Sequence, residues 1–280
     1  MLYVAPAFLF VFALFMIPLV MTVYMSMTDW HLLRGGSFAG LENYERALSD
    51  GQFRDALWFT TRFTVYSTVL TFGLGFGLAL LVRTGFKGVG LLRSAYFLPV
   101  VIGYAVASYI WVWLFNDSVG FLNPFLTWLG VLDRPLQWLS DPDTALLALV
   151  VTTVWKVTGF AMLVLLVGLQ AVPDSLYEAA RVDGAGRMAT LFHITLPLMR
   201  STFALVFVFL VTQFYLGFDQ FFIMTQGGPR NTTLTVVYWI FNNAFVGLRL
   251  GYGAALAIVL LILLILINGV QFRILRKDPT

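Results

Sequence analysis

Cysteine is absent from this chain of 280 residues, and histidine occurs only twice, as His31 and His193. Without cysteine there is no disulfide framework and no thiolate metal site. Two histidines so far apart in sequence do not predict a histidine-based metal cluster. Paired catalytic carboxylates and a nucleophile elbow are also missing from the sequence, so nothing in it points to an enzyme.

Charge is the second scarce property. Asp, Glu, Lys and Arg make up 11% of the residues, whereas a soluble domain carries about 25%. Hydrophobic residues make up 60% of the chain. A water-soluble fold could not bury this much apolar surface, so the composition predicts an integral membrane protein.

Long apolar runs are what the sequence has in abundance. A helix that crosses a bilayer needs about 20 mostly apolar residues, and six segments qualify. We predict membrane spans at residues 2–27, 56–82, 92–115, 144–170, 202–225 and 252–272. No soluble domain or tandem repeat interrupts them. The sequence therefore predicts an all-α, polytopic membrane protein with a single transmembrane domain over residues 1–280.

Glycine and proline mark special places in this pattern. Pro99 and Gly103 predict a kink in the third span, since proline removes a backbone donor from a helix. Gly73 and Gly77 lie four residues apart in the second span and predict a small face for close helix packing. After the fifth span, residues 234–245 predict a short amphipathic or interfacial helix.

Lysine and arginine are denser on one side of the predicted membrane, as is usual for cytoplasmic loops. That side holds Arg83, Lys87, Arg93, Arg181, Arg187, Arg200, Arg273, Arg276 and Lys277. The other side holds seven arginines, of which Arg62 lies near the outer end of the second predicted span, and most of the acidic residues. We therefore predict that both termini and the loop of residues 171–200 lie in the cytoplasm.

The loop of residues 171–200 contains the most distinctive stretch of the chain. Residues 178–186 read Glu-Ala-Ala-Arg-Val-Asp-Gly-Ala-Gly, and Phe192, Ile194 and Pro197 follow. Asp174 or Ser175 is suited to cap a helix, and Ser175 and Glu178 have capping-box spacing. Gly184 is well placed as a left-handed residue at the helix end. The resulting helix of about ten residues is too short to be stable alone, so it needs a partner surface.

The pattern EAA-x-x-DGA-x(6)-F-x-I-x-x-P resembles the EAA loop of ABC importer permeases, which docks into a cytoplasmic ATPase. We call residues 171–200 the EAA loop. The resemblance covers nearly the whole chain and is closest to the maltose and glycerol-phosphate type of carbohydrate-uptake permease. It also rests on Asn43-Tyr44, Leu98-Pro99, Trp155-Lys156, residues 168–173, Gly217-Phe218-Asp219 and Gly227-Gly228-Pro229. Many relatives carry a second proline shortly after the position of Pro197, where this chain has Arg200-Ser201.

The resemblance implies the type I ABC importer permease fold in a prokaryotic cytoplasmic (inner) membrane. The implied partners are a second homologous permease subunit, two ATPase subunits, an extracytoplasmic solute-binding protein and the carbohydrate, but no nucleic acid. ATP and Mg²⁺ would bind to the ATPase subunits, so this chain would be non-catalytic and would bind no cofactor itself. The sequence lacks the nucleotide-binding motif GxxxxGK[ST], which agrees with ATP binding to another chain.

The resemblance also implies roles for individual residues. Coupling to the ATPase would fall to Glu178, Ala179, Ala180, Asp183, Gly184 and Ala185. Glu178 would reach a groove of the ATPase, small alanines would allow close approach, and Gly184 would provide the bend. The solute pathway would include Tyr104, Thr153, Lys156, Phe214, Gly217 and Asp219, with Gln213 and Tyr215 as neighbours that could substitute.

Lys156 is the most unusual of these residues because it lies near the middle of the fourth span. A charge at that depth costs at least about 2.5–3.5 kcal/mol unless it faces a polar cavity or a partner. One interpretation is a donor to a hydroxylated or anionic solute. The other is structural, either an ion pair with Asp219 or a contact with backbone carbonyls at a broken helix. The residues leave both open.

Three functions follow from these observations. The first is an ATP-driven importer subunit for a carbohydrate. The second keeps the same machinery but imports glycerol 3-phosphate or a related anionic polyol phosphate, which Lys156 would tolerate. The third is a secondary transporter driven by an ion gradient. Asp219 is the only acidic residue in a predicted span, which argues against a proton relay and so against the third.

Overall fold

The computed structural model describes residues 5–83, 85 and 87–275. Helices dominate this part of the chain, and its sheet-like pairing is limited to isolated bridges near residues 28–38 and 249. The α-helices are α1 Ala5–Val11, α2 Ile17–Ser26, α3 Glu42–Ser49, α4 Gly51–Arg83, α5 Val89–Val101, α6 Tyr104–Leu114, α7 Leu122–Trp128, α8 Pro142–Gln170, α9 Asp174–Val182, α10 Arg187–Thr190, α11 Leu196–Leu198, α12 Arg200–Tyr215, α13 Asp219–Met224, α14 Val236–Phe241 and α15 Leu250–Leu275. Three π-helical segments continue α1, α10 and α14, at Phe12–Met16, Leu191–Thr195 and Asn242–Val246.

Membrane-spanning length is reached at six places in the described residues. Five are single stretches of sufficient length and apolarity, and the sixth is the bent pair α5 and α6. The five are Leu9–Ser26, Gly51–Arg83, Pro142–Gln170, Arg200–Met224 and Leu250–Ile274. With the bent pair counted as one span, the predicted all-α fold with six spans is confirmed. Residues 2–4 of the first predicted span lie outside the described residues.

The third span is broken rather than gently kinked. α5 and α6 meet at an angle of 101°. Pro99 lies inside the last turn of α5, and Ile102 and Gly103 have extended backbone between the two helices. Because proline cannot donate a backbone hydrogen bond and restricts the residue before it, the helix ends near this point. The predicted kink at Pro99 and Gly103 is confirmed and is larger than a usual proline kink.

Glycine packing in the second span differs from the prediction. A Cβ atom added to Gly73 or Gly77 would meet nothing within 4 Å, whereas one added to Gly75 would lie 2.9 Å from the Cβ of Ala161 in α8. The prediction that Gly73 and Gly77 form the packing face is wrong within this chain. The reason is helical periodicity, since residues two apart point to nearly opposite sides of a helix.

The chain divides into two compact units. One contains the residues up to Trp58 together with Leu234–Leu266, and the other contains Phe59–Thr233 and the residues from Ile267 onward. The single domain over residues 1–280 stays a prediction. The predicted helix at residues 234–245 is present as α14 and its π-helical continuation, in the first unit.

Asp50 organises polar contacts in the first unit. Its Oδ1 accepts a hydrogen bond from the backbone N–H of Phe53, so it caps the start of α4. Its Oδ2 accepts from Trp239 Nε1 at 3.0 Å and from the Tyr252 hydroxyl at 2.7 Å. Burial alone would raise the pKa of Asp50, but these donated hydrogen bonds favour the carboxylate and hold the pKa below its usual value.

The core of the second unit is built around α8, which packs against α5 and α12. Leu149, Met162 and Leu165 of α8 are fully buried. Gly159 allows the close approach of α5, because a Cβ atom there would collide with the carbonyl oxygen of Tyr96. This close packing sets the position of the break between α5 and α6 beside the middle of α8.

Candidate functional site

α9 is the first helix of the EAA loop, and it starts one residue earlier than a cap at Asp174 predicts and two residues earlier than a cap at Ser175 predicts. Pro173 occupies the N-cap position with extended backbone, and no side chain caps the helix. Capping by Asp174 or Ser175 is therefore wrong, because both residues already lie in the first turn of α9. Proline is compatible with this position because its ring fixes φ near −65° and Pro173 has a φ of −59°.

The end of α9 agrees with the prediction. Gly184 has a φ of +72°, which a residue with a side chain rarely adopts. The N–H of Ala185 donates to the carbonyl of Ala180 at 2.8 Å, and that of Gly184 donates to Arg181 at 3.2 Å. These two bonds form a Schellman motif. The predicted left-handed residue at Gly184 is thus confirmed.

The predicted coupling residues, on α9 and directly after it, differ in their exposure. Glu178, Ala179, Asp183 and Gly184 are exposed, and Ala185 is partly buried. Ala180 is only 7% exposed, so it packs within this chain. The other five coupling residues remain accessible to a partner at least in part.

Sequence reasoning missed the apolar part of the exposed surface. Val182, in the last turn of α9, is 87% exposed, and Met188 and Phe192 further along the EAA loop are exposed as well. Large exposed apolar side chains in a loop mark a surface for another protein or for the membrane. The signal was available in the sequence, because apolar residues interrupt an otherwise polar loop.

The inner side of α9 contacts the end of the second span. The guanidinium carbon of Arg83 lies 4.3 Å from the centre of the Tyr177 ring. The hydroxyl of Tyr177 lies 3.1 Å from Thr195 Oγ1. Arg83 and Tyr177 carry no motif signal, and only the tertiary structure brings them together.

A cavity of about 310 Å³ lies beside the break in the third span. The two halves of the break supply residues 100–104, and α8 and α12 supply the rest of the wall. Tyr104, Lys156 and Gln213 are its polar side chains, and Val157, Phe160 and Phe209 are among its apolar ones. The cavity is therefore mainly apolar with a few convergent polar groups, which is typical of sites for small molecules.

Lys156 borders this cavity but directs its donors to the broken helix. Its Nζ donates to the carbonyl oxygens of Pro99, Val100 and Ile102. The same nitrogen lies 4.7 Å from the centre of the Tyr104 ring, at the start of α6. An ammonium has three donors, and a cation is favourable at the C-terminal end of a helix such as α5.

Lys156 and Asp219 form no ion pair in the part of the chain that the structure describes. Of the structural alternatives for Lys156, the contact with backbone carbonyls is the one that the geometry contains. The charge is thereby compensated inside the chain without an anionic partner.

The remaining residues predicted for the pathway are dispersed. Thr153 is fully buried and Phe214 is 1% exposed, and the Phe214 ring packs edge-on against Phe63. Gly217 lies between α12 and α13, and Asp219 is the exposed first residue of α13. These four residues do not line the cavity, so their assignment to the pathway stays a prediction.

A second and larger depression adjoins α12. It has a volume of about 750 Å³ and is bordered by Ser201, Ala204, Leu205, Val208, Phe209, Thr212, Gln213 and Phe272. Phe209 and Gln213 border both this groove and the cavity beside Lys156. The amide of Gln213 and the ring of Phe209 therefore lie between the groove and the cavity.

No group of three or more metal-ligating side chains occurs among the described residues.

Comparison with known proteins gives a consistent result. The sequence matches the family described as binding-protein-dependent transport system inner membrane component over residues 1–277. It is 35% identical over 277 residues to the sulfoquinovosyl glycerol transport system permease protein SmoG of Agrobacterium fabrum, covering 98% of this chain and 89% of the relative. It is 33% identical over 278 residues to the sn-glycerol-3-phosphate transport system permease protein UgpA of the same organism, covering 98% and 93%.

A solved structure agrees with the fold. In the crystal structure of a bacterial ABC transporter involved in the import of the acidic polysaccharide alginate, one chain superimposes with a TM-score of 0.86. The alignment covers 100% of this chain and 96% of that one, at 22% sequence identity. At that identity the likeness concerns the arrangement of helices alone.

Proposed function

This chain belongs to the family of binding-protein-dependent transport system inner membrane components, and we propose that it is the permease subunit of an ATP-driven importer for a carbohydrate. The observation that carries the proposal is α9, whose inner face is held by the chain and whose outer face exposes Val182 beside Glu178. An exposed apolar residue with flanking charges on a short helix fits docking to another protein.

The partner at α9 is an ATPase subunit in this proposal. Glu178, Ala179, Asp183, Gly184 and Ala185 form the coupling surface, and Ala180 supports it from inside. ATP and Mg²⁺ bind to the ATPase, and this chain binds no cofactor. The complete importer also contains a second permease subunit, a second ATPase subunit and a solute-binding protein. The termini and the EAA loop lie on the cytoplasmic side of the inner membrane.

The solute passes beside α12 in this proposal. Tyr104 and Gln213 offer hydrogen-bonding groups to hydroxyls, and Phe209 offers an apolar face to a sugar ring. Because Lys156 directs its donors to three backbone carbonyls, the cavity favours a neutral hydroxylated solute. Thr153, Phe214, Gly217 and Asp219 are retained as pathway residues on the strength of the family resemblance alone.

A second candidate is an anionic polyol phosphate such as glycerol 3-phosphate. One observation favours it, since the ammonium of Lys156 is a positive charge on the cavity wall. An anionic solute would have to draw Nζ away from at least one of its carbonyl partners. A glycerol-phosphate permease among the relatives supports the same alternative.

Native mass spectrometry of the complex, purified through this chain from its own host, tests the proposal. We expect one copy of a second permease, two ATPase copies and a bound neutral carbohydrate. A bound polyol phosphate would favour the second candidate. A lone or homo-oligomeric chain after gentle extraction would contradict the importer and favour an ion-driven transporter.

A further inference from the structure

Arg83, at the end of α4, contacts two residues in the first turn of α9. Its guanidinium carbon lies 4.3 Å from the centre of the Tyr177 ring, and its Nη2 lies 3.7 Å from Asp174 Oδ1. A planar guanidinium can stack on an aromatic face and attract a carboxylate at the same time. Asp174 is highly exposed, so the ring contact is the stronger of the two.

Tyr177 has a second partner at its hydroxyl. That hydroxyl lies 3.1 Å from Oγ1 of Thr195, and Thr195 is buried at the end of the π-helical segment Leu191–Thr195. The short helix α11 and then α12 follow directly. One side chain of α9 therefore contacts both the end of the second span and the segment that leads into the fifth.

The contacts of Tyr177 matter because α9 has only nine residues. A helix of this length is not stable alone in water, so contacts with the rest of the chain determine its position. If those contacts were weak, a movement of the ATPase bound to the exposed face of α9 would shift the helix without shifting the membrane spans. The fifth span begins with α12, which carries Phe209 and Gln213 at the edge of the solute cavity.

We propose that Arg83 and Tyr177 are positioning residues that connect α9 to the second and fifth spans and transmit ATPase movement to the solute pathway. The proposal rests on the proposed function, because it assigns these residues to the coupling of ATP hydrolysis to transport. Arg83 holds the ring of Tyr177 from the side of α4, and Thr195 holds its hydroxyl from the side of α12.

The test measures ATP hydrolysed per solute transported, with the complete complex in proteoliposomes. Arg83→Gln removes the cation but retains a long polar side chain. We expect the assembled complex to be recovered in normal amount and the ratio to rise about two- to fivefold, the range for losing one partly exposed cation–π contact. Arg83→Lys retains a cation and is expected to restore part of the coupling.

Tyr177→Phe tests the other contact. It retains the ring that Arg83 contacts and removes the hydroxyl that contacts Thr195, so we again expect an increased ratio with normal assembly. Lys87→Gln is the matched control, because Lys87 is exposed in the loop that follows α4 and its substitution removes the same charge. We expect Lys87→Gln to retain the wild-type ratio.

Two results would overturn the proposal. One is a wild-type ratio in an assembled Arg83→Gln complex. The other is a fall in assembled complex that matches the fall in transport while the ratio stays constant, since that is the behaviour of a purely structural contact. Failure of the proposed function would be seen in the wild type instead, as a purified chain without an ATPase subunit or without solute-stimulated hydrolysis.

Discussion

Lys156 shows how a single buried charge is accommodated at the residue scale. Its ammonium donates hydrogen bonds to carbonyl oxygens that have no helical partner where α5 ends. It also contacts the Tyr104 ring at the start of α6. The charge that is costly in an apolar span thereby stabilises a break that proline and glycine create. Sequence reasoning identified the residue and the possible contact with carbonyls, but it could not choose between that contact and the solute.

Replacement of Lys156 separates the two roles. Lys156→Met keeps a long side chain but leaves the buried carbonyl of Pro99 and the partly buried carbonyls of Val100 and Ile102 without this donor, at about 1–3 kcal/mol for a fully buried group left unsatisfied. We expect a lower unfolding temperature and less assembled complex, with nearly normal uptake per assembled complex. Thermal unfolding in detergent and uptake normalised to assembled protein measure this. Normal stability with lost uptake would show instead that Lys156 acts on the solute.

Helix α9 illustrates the element scale, because both of its ends are defined by backbone chemistry. Pro173 begins it, and the Schellman motif at Gly184 ends it and turns the chain toward α10. The EAA motif predicted the helix and its left-handed end, while the start differed because Pro173 itself takes the capping position. Which face of α9 is exposed followed only from packing, and this packing buries Ala180 and exposes Val182.

Substitution at Gly184 tests the end of this helix. Gly184→Ala places a side chain at a φ of +72°, which costs about 1–2 kcal/mol. We expect the last turn of α9 to loosen and less ATPase to co-purify with the chain. Gly186→Ala is the control, since Gly186 lies in the same loop with a φ of −69° and a Cβ atom added there would meet nothing within 4 Å. Equal retention of the ATPase by both variants would contradict a structural requirement at Gly184.

At the scale of the whole molecule, this chain presents surfaces that its own fold does not cover. Val182, Met188 and Phe192 expose apolar area on the EAA loop, and α12 borders an apolar groove. The groove lies along a membrane span, where lipid can also cover apolar surface, so the exposed apolar residues of the EAA loop are the ones that point to a partner. The family to which the chain belongs agrees with that conclusion.

Val182→Asp tests the surface on the EAA loop. Because Val182 is 87% exposed, a charge there should leave the folded chain in the membrane at a normal level. We expect a large loss of co-purified ATPase subunit, measured by pull-down from solubilised membranes. Val119→Asp, which replaces an exposed valine between α6 and α7, should retain the ATPase. Undiminished ATPase in the Val182→Asp complex would exclude α9 as the docking site.

Hydrophobic run length, proline and glycine are local properties, and they were sufficient to determine the six spans, the break near Pro99 and the left-handed turn at Gly184. The EAA motif, which is also local, likewise identifies the family. Only the tertiary structure decided that Gly75 and not Gly73 packs against α8, that Lys156 bonds to the broken helix, and that Arg83 lies on Tyr177. These contacts join residues distant in sequence, so their geometry depends on how whole helices pack and leaves no local pattern to read.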